Sequence, residues 1–110
     1  MIFDEADLLE RLSGDTELLA EVIAVFLDDC PARLQAINDA MTHRDPMELR
    51  TAAHAIKGAA GSLSAHRLFD AAQRLEHLVE TSPLKASGDA VGRVTAETHD
   101  LIAALRRRAS

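Results

Sequence analysis

Residues 45–63 read Asp45-Pro46-Met47-Glu48-Leu49-Arg50-Thr51-Ala52-Ala53-His54-Ala55-Ile56-Lys57-Gly58-Ala59-Ala60-Gly61-Ser62-Leu63. Asp45 can cap a helix with its carboxylate, and the fixed φ of Pro46 suits the first helical position. From there Leu49, Ala53, Ile56, Ala60 and Leu63 recur at helical spacing, within about 80° of arc. The spacing predicts a helix over about 46–63 with one apolar face. Arg50, His54, Lys57, Gly58, Gly61 and Ala65 fall on the adjoining, outward stripe.

The same periodicity continues on both sides. A short helix over about 4–12 groups Leu8, Leu9 and Leu12; Ser13-Gly14 ends it, and Asp15 can cap the next. The second helix, about 16–43, carries Leu19, Val22 or Ile23, Phe26, Cys30, Leu34, Ile37 and Met41. Pro31 removes the bond to the Leu27 carbonyl, which predicts a kink. The stripe keeps its phase beyond Pro31, so one bent helix is expected. The fourth helix, about 65–80, turns Leu68, Ala71 or Ala72, Leu75 and Leu78 inward. Thr81-Ser82-Pro83 and Ser87-Gly88-Asp89 bracket a loop with room for a helical turn. The last helix, about 89–108, repeats Val91, Val94, Thr98, Leu101 and Leu105. It closes on Arg106-Arg107-Arg108, which either complements the negative end of the helix dipole or forms a docking patch. Four amphipathic helices with short loops, preceded by a small one, predict an all-α fold. The expected architecture is an antiparallel four-helix bundle in a single domain over 1–110.

Composition narrows the function. The three aromatic residues are all Phe, so the core must be built from Leu, Ile, Val and Ala. A net charge of −6 with no basic stripe argues against nucleic-acid binding. Residues 1–55 hold 12 acidic and 4 basic side chains, against 6 and 8 in 56–110. That asymmetry either orients partners or is two solvated faces that happen to differ. The lone Cys30 allows neither an internal disulfide nor a thiolate metal cluster and reads as a small core residue. No apolar run approaches the roughly 20 residues of a membrane span. Met1-Ile2-Phe3-Asp4-Glu5 has no secretory-signal pattern, so a cytoplasmic location is expected.

The outward stripe of the third helix is chemically unusual. Gly58 and Gly61 lie four and seven residues after His54, above it on the same face. Each costs about 0.8–1.0 kcal/mol relative to alanine in a helix interior. Absent side chains would leave the imidazole open to a bulky electrophile or an approaching protein backbone. Lys57, three residues on, can place an ammonium beside anything attached to the ring. An exposed nucleophilic imidazole, a cleared approach and a nearby cation suit formation of a phosphohistidine. His43, His66, His77 and His99 lack metal-ligand spacing and read as surface or packing residues.

The run from Ala53 to Leu63, with its core His54-x-x-Lys57-Gly58 followed by small residues, resembles the signature of histidine-containing phosphotransfer (HPt) domains of bacterial two-component relays. Phe26-Leu27-Asp28-Asp29-Cys30-Pro31 is similar to that family's proline-kinked second helix, and Leu68 through Glu76 to its following helix. The resemblance implies a phosphoryl carrier in which His54 accepts the group, on the outward Nε2, from the aspartyl phosphate of one response-regulator receiver domain and passes it to another. Lys57 would balance charge and Gly58 would admit the receiver. Glu76 would face the histidine, either accepting a hydrogen bond from the Nδ1 N–H and so fixing the tautomer, or simply solvated. Ser64 stands where many members have glycine, and Ala59 where a small hydroxyl residue is frequent; Ser62 would supply a hydroxyl instead.

There is no Gly-x-x-x-x-Gly-Lys loop, no nucleotide site and no acidic metal pocket near His54, so the chain is not expected to be an enzyme by itself. No cofactor is expected in this chain; the resemblance implies Mg²⁺ in the partner receiver. The carrier would be a monomer, either free-standing or part of a hybrid sensor kinase. An alternative is the phosphorylatable domain of a chemotaxis-type histidine kinase, and a third is a helical interaction module without phosphorylation.

Overall fold

Three aspartates start three helices. Asp4 accepts from the backbone N–H of Asp7 at 3.0 Å, Asp15 from Leu18 at 3.0 Å, and Asp45 from Met47 and Glu48, both at 3.1 Å. Each satisfies N–H groups that a helix start leaves without an internal partner. The computed structural model describes residues 1–109. It contains α1 (Glu5–Arg11), α2 (Thr16–His43), α3 (Pro46–Ser62), α4 (His66–Thr81) and α5 (Gly88–Ala109). A 3₁₀ turn at Leu84–Ser87 occupies the loop before α5. Ser110, the last residue of the expected domain, lies outside the described residues. The fold is all-α, and α2 runs through Pro31 as one element.

Helix α3 packs on α2 and α4, and α5 packs on α4 and touches α2. These contacts close a ring of four helices, with α1 laid against α2. Cross-helix pairs give the sense of α3 and α4: Arg50 meets Glu80, while Lys57, two turns later, meets Glu76. The two helices therefore run antiparallel. Leu19, Ile23, Phe26 and Ile37 of α2 close on Leu49, Ala53, Ile56 and Ala60 of α3, Leu68 and Leu75 of α4, and Val94, Leu101 and Leu105 of α5. Cys30 is fully buried among them, and burial pushes its thiol pKa up, so the thiolate is disfavoured.

Several inward positions differ from the periodic reading. Ala40 and Ala52 are buried, whereas Leu34, Met41, Leu78 and Val91 are only half-buried. Ala65 is fully buried, not on the outward stripe. The reason is local: α3 ends at Ser62, and Ser64 takes a left-handed φ of 56°, so the helical wheel does not extend to residue 65. Glu97 of α5 is 5% exposed and faces Arg67 of α4. One Arg67 N–H donates to Glu97 Oε1 at 2.9 Å. Arg67 Nε lies 2.9 Å from Oε2, close enough to pair but off the line of a hydrogen bond. A buried carboxylate is tolerated only with such a partner.

The left-handed turn at Ser64 also ties α1 to the bundle. Its hydroxyl donates to Asp7 at 2.6 Å and accepts from Arg11 at 2.8 Å, while its carbonyl accepts from the N–H of Asp4 at 3.2 Å. Arg11 also donates to the Gly61 carbonyl at 2.9 Å. A left-handed φ favours glycine, so serine here trades backbone strain for two side-chain hydrogen bonds. Ser64→Ala keeps the strain and loses the bonds, and is expected to cost about 1–3 kcal/mol. Ser64→Gly loses the bonds but relieves the strain, and should cost about 1 kcal/mol less than the alanine variant. Urea denaturation of the three proteins measures both differences.

Candidate functional site

Two helices make the site. α3 presents His54 on the face opposite its buried Leu49, Ala53, Ile56 and Ala60, so the ring stands in solvent with its side chain 72% exposed. α4 turns Leu68, Ala72 and Leu75 into the core, which brings the next residue, Glu76, to the seam facing α3. Glu76 is 12% exposed and holds two partners at once. Lys57 Nζ donates to its carboxylate at 2.8 and 3.3 Å, and His54 Nδ1 lies 3.1 and 3.3 Å from the same two oxygens.

The carboxylate is ionised. The Lys57 hydrogen bond lowers the Glu76 pKa from its ordinary value against the opposing effect of burial, and the His54 bond lowers it further. An ionised carboxylate can only accept, so the imidazole proton sits on Nδ1. The lone pair of the neutral ring is then on Nε2, directed away from Glu76. This is the arrangement a nucleophilic histidine requires: one nitrogen anchored, the other free.

Lys57 is thus not a free cation beside the ring. Its ammonium is committed to Glu76, the same carboxylate that holds His54 Nδ1. One turn before His54, Arg50 pairs with Glu80 at 2.8 Å. Arg50, Thr51, His54 and Glu76 line an open cleft of about 280 Å³.

The glycines separate in role. A Cβ built on Gly58 meets nothing within 4 Å, so the fold gives no packing reason for glycine there. A Cβ on Gly61 would touch the Phe69 ring at 3.5 Å, which is ordinary contact and makes Gly61 a packing position between α3 and α4. Ser62 donates its hydroxyl back to the Gly58 carbonyl at 3.1 Å. It lies, with Ala59, at the edge of a second cleft of about 350 Å³ between α2 and α3. The apolar wall of that cleft includes Leu18, Val22, Val25 and Phe26, of which Val25 is 59% exposed. Sequence reasoning named His54, Lys57, Gly58 and Glu76; it missed the Arg50–Glu80 pair, for which only an acidic residue one turn after Glu76 was a signal. Among the described residues no group of three or more His, Cys, Asp or Glu side chains converges to hold a metal ion. No helix among them is long and apolar enough to cross a membrane.

Residues 21–108 match the family model of the Hpt domain. The chain belongs to the Hpt domain family. The match runs from α2 through the last turn of α5 and so includes the histidine, its glycine and its carboxylate partner. The Hpt fold is seen independently in the crystal structure of the HPT domain from a hybrid sensor histidine kinase of Shewanella. That chain is 16% identical, and the superposition covers 96% of this chain and 92% of that one with a TM-score of 0.86. No curated protein sequence matches at a significant level. Family membership makes this a histidine phosphotransfer domain of two-component signalling.

Proposed function

We propose that this Hpt domain is a phosphoryl carrier that takes the group onto His54 Nε2 from the aspartyl phosphate of a response-regulator receiver and returns it to another receiver aspartate. The observation that carries the reading is the anchored Nδ1, which leaves Nε2 outward on an exposed ring. In the forward step the Nε2 lone pair forms the N–P bond, and the bond from phosphorus to the donor carboxylate breaks. The electron pair leaves with that carboxylate. The Nδ1 proton stays on the ring, where Glu76 offsets the positive charge of the resulting imidazolium. Delivery is the reverse.

The chain supplies the nucleophile and its positioning, not catalysis on its own. Receiver recognition would use the α3 face and the adjoining part of α2, where the exposed Leu18 and Val25 border an apolar cleft. The Mg²⁺ and acidic pocket that phosphoryl transfer commonly needs would come from the receiver, with no cofactor held here. One shared buried cluster supports reading residues 1–110 as one domain. A carrier whose His54 stands exposed needs no second copy, and it is read as a cytoplasmic monomer.

The test is incubation with a small panel of phosphorylated receivers from the same organism, followed by phosphate-affinity electrophoresis and mapping of the label. Acid-labile label at His54 is the expected result. Label obtained only from an ATP-bound kinase domain would favour the chemotaxis-type alternative, and none from active donors would sink both.

Gly58 provides a further check. Because its Cβ position is open, Gly58→Ala should stabilise the helix by about 0.8–1.0 kcal/mol. The added methyl stands one turn above His54, in the path of the receiver, and a clash of about 1–3 kcal/mol corresponds to a roughly 5- to 150-fold slower transfer. A variant that unfolds at higher urea yet transfers more slowly, measured side by side with wild type, is the expected outcome.

A further inference from the structure

We infer that Arg50 is the cation that receives the phosphoryl group on His54, leaving Glu80 to do so. This deepens the carrier reading and rests on it only in requiring that His54 bears the group. The cleft beside His54 is electrically balanced before phosphorylation. Lys57 faces Glu76, and Arg50 faces Glu80. A phosphoryl group adds about 1.5–2 negative charges at neutral pH by analogy with phosphorylated hydroxyl side chains, more than the imidazolium proton offsets, so it draws on a cation from one of these two pairs.

The two pairs differ in how readily they can open. Lys57 and Glu76 are 23% and 12% exposed, and Glu76 is also the group that anchors the ring. Withdrawing Lys57 would leave a largely shielded carboxylate without its strongest partner and loosen the histidine as it carries its load. Arg50 and Glu80 are 57% and 43% exposed, a surface pair of the kind that contributes little. Released from Arg50, Glu80 is simply hydrated.

Position agrees with energetics. Arg50 lies one turn before His54 on the same face, within side-chain reach, and both line the same open cleft. Nδ1 occupies the Glu76 side of the ring, so a group on Nε2 is directed away from Lys57's carboxylate partner. The planar guanidinium can meet two phosphoryl oxygens at once, which an ammonium cannot.

The experiment uses phosphoramidate, a small-molecule phosphoryl donor, so that labelling needs no receiver. The phosphoryl titration of the labelled chain is then followed by ³¹P NMR. Arg50→Gln is expected to raise the apparent pKa of the phosphoryl group by about half a unit, the size of one lost cation near the surface. Arg50→Lys should restore part of that shift, and Glu80→Gln, which frees Arg50, should move the pKa the other way. Label on His54 with an Arg50→Gln titration identical to wild type would overturn this inference and leave the carrier reading standing. Absence of label on wild-type His54 from phosphoramidate and from active receiver donors alike would overturn both.

Discussion

Replacing His54 by glutamine is expected to abolish phosphoryl uptake, with label from every active receiver donor falling to background. Glutamine keeps a polar, helix-compatible side chain but offers no nucleophilic nitrogen. The replaced ring is largely in solvent and its polar partner is Glu76, which keeps Lys57. The variant should therefore unfold within about 0.5 kcal/mol of wild type, so the loss cannot be charged to misfolding. His43→Gln is the matched control. His43 also lies 3.1 Å from a carboxylate, that of Glu48, and stands in solvent. The Glu48 hydrogen bond raises the His43 pKa, which keeps more of that ring protonated and non-nucleophilic at neutral pH. No glycine follows it along its helix either, since α2 ends at His43. Full labelling of His43→Gln beside none on His54→Gln, read on one gel, is the expected pattern; label persisting on His54→Gln would refute the assignment.

Ile56→Ala is expected to have the opposite profile. Ile56 is fully buried two residues from His54, on the face of α3 that the rest of the bundle covers. Truncating a buried isoleucine loses its transfer free energy and leaves a cavity, together about 2–5 kcal/mol. In a chain of 110 residues that lowers the thermal midpoint by roughly 10–20 °C. The His54–Glu76–Lys57 group lies on the other side of the helix and is held by contacts that Ile56 does not make. Transfer per folded molecule, measured well below the lowered midpoint, should stay close to wild type. Calorimetry and the transfer assay on one preparation separate the two effects, and a loss of transfer as large as that of His54→Gln would mean the site depends on the core beneath it.

The contrast between these two residues explains why so much was legible in the sequence. Helical periodicity and capping are local, acting over three or four residues. Asp15, Asp45 and Pro46 therefore announced where α2 and α3 begin, and the Leu49–Ala53–Ile56–Ala60 stripe put His54 on the outside. The glycine opposite no neighbour, Gly58, was visible for the same reason: its cost inside a helix can be counted without knowing what surrounds it. Ala65 was misplaced because the helix ends before it, and a left-handed turn at a serine carries no sequence signal as clear as glycine.

What the chain alone determined, then, is each helix, the face it buries and the exposure of His54. The tertiary structure decided the partners: Glu76 reaching both Lys57 and His54, Arg50 meeting Glu80, Ser64 clasping Asp7 and Arg11, and Arg67 covering Glu97. These pairs are separated by 19 to 57 residues, and whether they meet depends on the rotation of one helix about its axis relative to the next. That rotation is set by how the apolar stripes of α2 to α5 interlock, a property of the assembled core that no single helix contains.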